Sequence, residues 1–334
     1  MTAFASPPAP PRQSASRSRR PIAISMGDPC GIGPEIVLRA LAAPELAADC
    51  IVYGDRGLLE TTAARLGLPV PPRVEAVTRL DPPPPPGSVD ARAGDAAYRY
   101  IVAAAGAARD GEARALVTAP ISKAALQAAG HGYPGHTELL AELAGGAEVR
   151  MMLANDELRV VLVTVHLALR DAITALDPQR IETTIAIADA GLRRAGIARP
   201  RLAVAGLNPH AGEGGLFGRE EIDCIAPAIA AARAAGIDAT GPYPPDTVFM
   251  RARGFARFDA VIAMYHDQGL IPVKYLGIDE GVNVTLGLPF VRTSPDHGTA
   301  YDIAGRGVAD PASLLAAIRL ADRLAPDTAS AADR

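Results

Sequence analysis

From Pro21 to Leu324, short β-rich runs alternate with Ala-rich helical stretches, and this alternation confines the chain to an α/β architecture. Strands are predicted over 22–26, 51–53, 115–118, 160–165, 202–205, 260–264 and 282–285. Helices are predicted over 34–41, 58–66, 96–108, 123–129, 138–144, 178–195, 219–234 and 312–324. Unbroken apolar runs such as 160–165 point to strands buried on both faces, hence to a mostly parallel sheet. The run 81–87, DPPPPPG, reads as a stiff polyproline loop. No internal repeat and no clear linker divides the chain, so two subdomains would be interleaved rather than consecutive. Residues 1–20, rich in Pro, Ser and Arg, lack an apolar core after the charges and read as a disordered extension on a cytoplasmic protein.

Composition removes several function classes. With 334 residues, 49% of them apolar, the chain can bury a core without disulfide or metal staples. A net charge of -4 argues against a nucleic-acid binder. Cys30, Cys50 and Cys224 show no CxxC spacing, which excludes a thiolate zinc site and a disulfide framework and suits a reducing compartment. No apolar run reaches the roughly 18 residues of a membrane helix.

Three of the six histidines follow predicted strands. His166 closes VVLVTVH, His210 follows LAVAGLNPH and His266 follows DAVIAMYHD. Ligands of open α/β sheets bind at the carboxyl ends of strands. Three imidazoles on one edge could hold a divalent ion with positions left open for substrate. A satisfied loop residue is the competing reading for each of them. Neighbouring polar groups, Asn208, Asp267 and Asp246, are candidates to orient these rings, although Asp246 in its Pro-rich loop fits an ordinary turn equally well. His136, in GHTE, opens a helix for which Thr137 is a plausible N-cap, and free amides there could hold an anion. His131 reads as an exposed loop residue, and His297 in SPDHGT fits either role.

Two glycine-rich loops enter helices. MGDPCGIGPE, 26–35, is neither a dinucleotide fingerprint nor a P-loop, so it is either a tight turn or an active-site wall carrying Asp28. NPHAGEGGLFG, 208–218, follows a strand directly, as loops that approach a ligand or another backbone do. Rarity flags other positions. Of 33 basic residues only Lys123 and Lys274 are lysine, and the chain has three asparagines, Asn155, Asn208 and Asn283. Lys274, Asn283 and Arg292 lie close in sequence and offer a point charge, a neutral donor and a bidentate fork, a cradle for phosphate or carboxylate. Lys123, at a helix start after a strand, could face the same site.

Taken together, MGDPxGIGPE, GHTE, VH, LNPHAGEGG, YHDQG and GVNVTLGLPFVRTSxDHGTA resemble the 4-hydroxythreonine-4-phosphate dehydrogenase family of vitamin B6 (pyridoxine) biosynthesis, from about Pro21 to about Leu324. The resemblance implies an isocitrate/isopropylmalate dehydrogenase-like fold: two interleaved α/β/α subdomains, 21–125 plus 285–325 and 126–284, with a cleft between them. It implies a homodimer with the active site near the interface. It implies one divalent ion per site (zinc, magnesium or cobalt) on His166, His210 and His266, with ligands drawn from both subunits. Substrate contacts would be His136, Thr137, Lys274, Asn283 and Arg292. The implied reaction is NAD- or NADP-linked oxidation of 4-phosphooxy-L-threonine at C3, then decarboxylation to 3-amino-2-oxopropyl phosphate. No residue is assigned to the nicotinamide cofactor. Sister dehydrogenases acting on D-threonate or D-erythronate 4-phosphate, or on a carboxylated cis-dihydrodiol, share the histidines. A phosphate acyltransferase of related architecture would need neither metal nor nicotinamide.

Overall fold

The computed structural model describes residues 19–277 and 281–325, so all but the last two residues of the extension 1–20 lie outside the described residues. Its strands are β1 (Ile22–Ser25), β2 (Cys50–Asp55), β3 (Val74–Thr78), β4 (Ala115–Thr118), β5 (Arg150–Ala154), β6 (Arg159–Leu162), β7 (Arg201–Ala205), β8 (Asp238–Tyr243), β9 (Ala260–Ala263), β10 (Val282–Leu286) and β11 (Val291–Pro295). They form one sheet in the order β3-β2-β1-β4-β11-β10-β5-β6-β9-β7-β8.

All seven predicted strands are present. Four others were not predicted: β3 (VEAVT), β8 and β11 interrupt their apolar positions with charged, polar or proline residues, and β5 carries Met and Leu in place of β-branched residues. The sequence DATGPY of β8 even carries Pro242, which the sheet accommodates because β8 is an edge strand. Short helices at Pro44–Ala48, Leu169–Thr174, Pro245–Ala252 and His266–Leu276 were also not predicted. The last of these contains Gly269 and Pro272, residues that usually interrupt a helix.

Seven of the ten strand pairings are parallel, as the sequence implies, and three antiparallel pairings in the middle make the sheet mixed. β11 pairs antiparallel with β10, β10 with β5, and β5 with β6. Three reversals in succession make the parallel group β6, β9, β7 and β8 run opposite to the parallel group β3, β2, β1, β4 and β11. The carboxyl ends of the two groups therefore lie at opposite ends of the sheet. The first group comes from residues 22–118 with 291–295, the second half of the sheet from 150–286.

Helices cover both faces, but unequally. On one face a continuous apolar cluster runs from Ile36 and Leu59 through Ile318 to Ile185 and Ile229. On the other face the core is split. Ile101, Leu116 and Leu139 form one cluster, and Leu153, Leu162, Val261 and Leu270 form another. Side chains alternate across a strand. Val117, Val282 and Val284 point into the continuous cluster, so Thr118, Asn283 and Thr285 point into the gap between the split ones.

Candidate active site

That gap holds a cavity of about 350 Å³ lined by Thr118, Lys123, Gly135, His136, Thr137, Glu138, His166, Asn283, Arg292, Asp296 and His297, among others. Arg292 comes from β11. Its neighbour Thr293 turns the other way and donates to the Ala317 carbonyl at 2.8 Å, which sends the guanidinium into the gap. Arg292 is only 2% exposed. It donates to Thr285 Oγ1 at 2.9 Å and Thr118 Oγ1 at 2.6 Å, and its Nε has no partner. No carboxylate among the described residues pairs with it. Burial pulls its pKa down to about 9, so it remains a cation at neutral pH.

His136 lies against this charge. Its Nε2 is enclosed without a hydrogen-bond partner, although part of the residue stays accessible. Burial, and then the Arg292 charge, hold its pKa well below the ordinary histidine value, so the ring is neutral at pH 7. The helix His136–Leu143 begins here. Its N-cap is Gly135, not the expected Thr137, and no side chain caps it. The first amides are therefore open towards the cavity. Lys274, in the last turn of His266–Leu276, pairs with Asp296 at 2.7 Å rather than lining the cavity directly. Of the five expected substrate residues, His136, Thr137, Asn283 and Arg292 line one cavity, and Lys274 joins it through Asp296.

His166, His210 and His266 follow β6, β7 and β9, three mutually parallel strands, and so occupy one edge. The rings of His166 and His266 are 5.7 Å apart, and both line a second cavity of about 240 Å³ with Val165, Leu167 and Leu169. His210 stands apart, beside Phe217 at 6.4 Å. Within one chain, no group of three or more His, Cys, Asp or Glu among the described residues is placed to hold a metal. Imidazole nitrogens suit a divalent ion, and two such rings stand side by side here.

The loop carrying His210 is under local constraint. His210, Ala211 and Glu213 all have positive φ, between 43° and 54°. Such values are uncommon outside glycine and concentrate at functional sites. Glu221, 3% exposed, anchors the loop by accepting from the Leu207 and Asn208 amides and from Asn208 Nδ2. A Cβ at Gly212 would stand 2.6 Å from the Glu221 carboxylate, so that position admits only glycine. His166 also has positive φ, 48°.

The remaining candidates separate clearly. Asp267 Oδ1 lies 2.7 Å from His266 Nδ1. Asn208 bonds Glu220 and Glu221, not a histidine. Asp246 is exposed in the first turn of the helix Pro245–Ala252 rather than in a loop, and its carboxylate touches none of the three histidines. Asp28 is fully buried, accepts from the Cys30 amide and from Tyr301 Oη, and does not line the cavity. Burial raises its pKa against the pull of Tyr301. The loop 26–35 is thus a tight turn locked against Pro120 and Thr299. Burial raises the Cys30 thiol to about 11 and Cys50 to about 12, which leaves both protonated and unreactive. Thr118, Thr285, Asp296 and Glu221, the residues that hold the chemical groups in place, went unflagged, because nothing local in sequence distinguishes them.

Residues 46–321 match the family described as pyridoxal phosphate biosynthetic protein PdxA. The chain belongs to the PdxA family. It is 56% identical over 91% of its length to a 4-hydroxythreonine-4-phosphate dehydrogenase of Beijerinckia indica, covering 95% of that protein. It is 48% identical over 91% of its length to a D-threonate 4-phosphate dehydrogenase of Pectobacterium atrosepticum, covering 99% of that one. A crystal structure of the 4-hydroxythreonine-4-phosphate dehydrogenase of Klebsiella pneumoniae superposes with a TM-score of 0.87 at 47% identity, covering 92% of this chain and all of that one. The mixed α/β fold is therefore that of the PdxA family, and the protein is a dehydrogenase of that family.

Proposed function

We propose that the protein oxidises 4-phosphooxy-L-threonine at C3 with NAD or NADP, and that the product loses carbon dioxide to give 3-amino-2-oxopropyl phosphate. The observation that carries this reading is Arg292. It is a buried guanidinium without a carboxylate partner among the described residues, facing a cavity that His166 also lines. A desolvated cation of this kind is stabilised by an anionic ligand. Neutral His136 and Asn283 add hydrogen-bond donors and acceptors beside it, and the Lys274–Asp296 pair borders it. These groups fix the carboxylate and phosphate of a small substrate, so that binding energy remote from C3 orients the reacting carbon.

In the reaction the C3 hydrogen leaves as hydride to the nicotinamide and the hydroxyl proton leaves to a base or to water. The β-keto acid so formed then releases its carboxyl carbon. His166, His210 and His266 would hold a divalent ion, which when bound would supply Lewis acidity to the C3 oxygen. His166 and His266 supply two ligands from one chain, and a second copy supplies the site with His210 in a homodimer. The exposed apolar side chains beside these histidines support that assembly: Val165, Leu167, Leu169 and Ile173, then Leu216 at 73% and Phe217, then Ile271 and Tyr275 at 90%. Asp267, bonded to His266, would orient its ring towards the ion.

D-threonate 4-phosphate is the second reading, favoured by the 48% identity to a dehydrogenase of that name. The two substrates share the phosphate, the carboxylate and the C3 hydroxyl and differ at C2. Nicotinamide reduction with each substrate, with and without a chelator, decides between them. Chelator-sensitive turnover of 4-phosphooxy-L-threonine is expected. Turnover of D-threonate 4-phosphate alone would move the assignment to the second reading, and turnover of neither would reject both.

A further inference from the structure

Lys123 lines the same cavity as Arg292, and its ammonium makes no hydrogen bond or ion pair among the described residues. The residue is exposed, in the first turn of Lys123–Ala128, whose start is fixed by Ser122 accepting from the Ala125 amide. It leans over the beginning of another helix: a Cβ on Gly135 would stand 3.8 Å from Lys123 Cε. Gly135 is the uncapped N-cap of His136–Leu143. A lysine is the wrong charge for that place. The start of a helix carries partial positive charge and repels cations. Arg292, a second cation without a counterion among the described residues, lines the same cavity and lies close enough to His136, the first residue of that helix, to depress its pKa, and its enclosed Nε is unpartnered. The acidic groups nearby balance these charges only in part: Glu138, in the first turn of that helix, has a carboxylate oxygen 3.5 Å from the same Gly135 Cβ position. Asp296 is taken by Lys274, and Glu138 forms no ion pair with Lys123. Two cations and one open helix start line one cavity in a chain that otherwise uses arginine for nearly every positive charge.

We propose that Lys123 is a phosphate-binding residue, and that the phosphate ester of the substrate sits between its ammonium, the first amides of His136–Leu143 and Arg292. This rests on the reading of the protein as a dehydrogenase of phosphorylated acids and assigns that substrate a direction in the cavity. A phosphate dianion supplies the charge the seat lacks. An ammonium suits the mouth because it is compact and reaches on a flexible stem, whereas the guanidinium below it is rigidly held. With the phosphate at the Lys123 end, the carbon chain points towards His166, the lining residue that belongs to the histidine edge.

The test measures binding of inorganic phosphate by calorimetry, and kcat and KM on both phosphorylated substrates, for wild type, Lys123→Met and Lys123→Arg. Loss of one charge-assisted contact weakens binding by about tenfold to a hundredfold. Lys123→Met is expected to lose phosphate affinity on that scale and to raise KM more than it lowers kcat, and Lys123→Arg is expected to recover most of both. Wild-type turnover with an unaltered phosphate affinity and KM in Lys123→Met would overturn the role of Lys123 and leave the proposed function standing. If the wild type turned over neither substrate, the proposed function would fail, and phosphate affinity alone would decide the seat. Absence of phosphate binding to the wild type would overturn it.

Discussion

Arg292 is 2% exposed and clamped by two threonine hydroxyls, whereas His166 and His210 are exposed, sit in left-handed backbone and stand among uncovered apolar side chains. The first region is finished within one chain. Strand alternation aims Thr118, Asn283, Thr285 and Arg292 into a gap that the split core leaves on one face of the sheet. The second region is an edge with two paired imidazoles, a third at a distance and an apolar rim. The difference teaches that the guanidinium end is preorganised within one chain, while on the proposed reading the histidine edge would be completed by a second copy.

The strongest way to separate the two regions is to remove one side chain from each. His210→Ala is expected to abolish chelator-sensitive turnover, and Arg292→Met to cost about three orders of magnitude in kcat/KM, the scale of a lost buried charge contact. Their effects on folding should differ. Deleting an uncompensated buried cation relieves a desolvation cost, so the Tm of Arg292→Met should hold or rise. A Tm that falls by several degrees would show that Arg292 is a structural residue. The apolar rim comes next. Leu169→Asp with Phe217→Asp should leave the chain folded, as judged by circular dichroism, yet monomeric by sedimentation and inactive.

Two smaller effects sharpen the picture. Asp267→Asn leaves the His266 ring without its charged partner and is expected to weaken metal affinity about tenfold, read by metal titration. The pH dependence of stability reports on the finished region. Folded His136 has a depressed pKa, so below about 6.5, the ordinary histidine value, the unfolded chain binds a proton that the folded one does not. Stability is therefore lost as pH falls through that value. His136→Gln should flatten this part of the curve, measured by denaturant titration at a series of pH values.

How much of this was legible in the sequence follows from what each signal depends on. Continuous apolar runs marked the central strands, because burial on both faces leaves its trace in every residue. The strand β11 (VRTSP) left none, and β5 (RMMLA) has an apolar run without the β-branched residues that mark a strand, since their identity comes from pairing across the sheet. The reversal of direction between the two halves was equally invisible, because it lives in register between segments far apart in sequence. Rarity pointed to Asn283, which lines the cavity, to Lys274, which pairs with the lining residue Asp296, and to Asn208, whose amide bonds Glu220 and Glu221. For Asp28 the sequence leaves a tight turn and an active-site wall open, and in the structure its buried carboxylate braces a turn. The threonines that hold Arg292 could not be found in advance, because a hydroxyl acquires that task only when three strands place it beside a guanidinium.

The central claim, that the histidine edge is completed by a second copy, is tested most directly by mixing two inactive proteins. His210→Ala and His166→Ala are denatured together, refolded as a mixture and assayed with substrate, nicotinamide and a divalent ion. In a mixed dimer one site combines an intact His166 and His266 with the other copy's His210. Random pairing should then restore roughly a quarter of wild-type activity. No recovery in a mixture shown to contain mixed dimers would mean that all three histidines act within one chain, and would contradict the account.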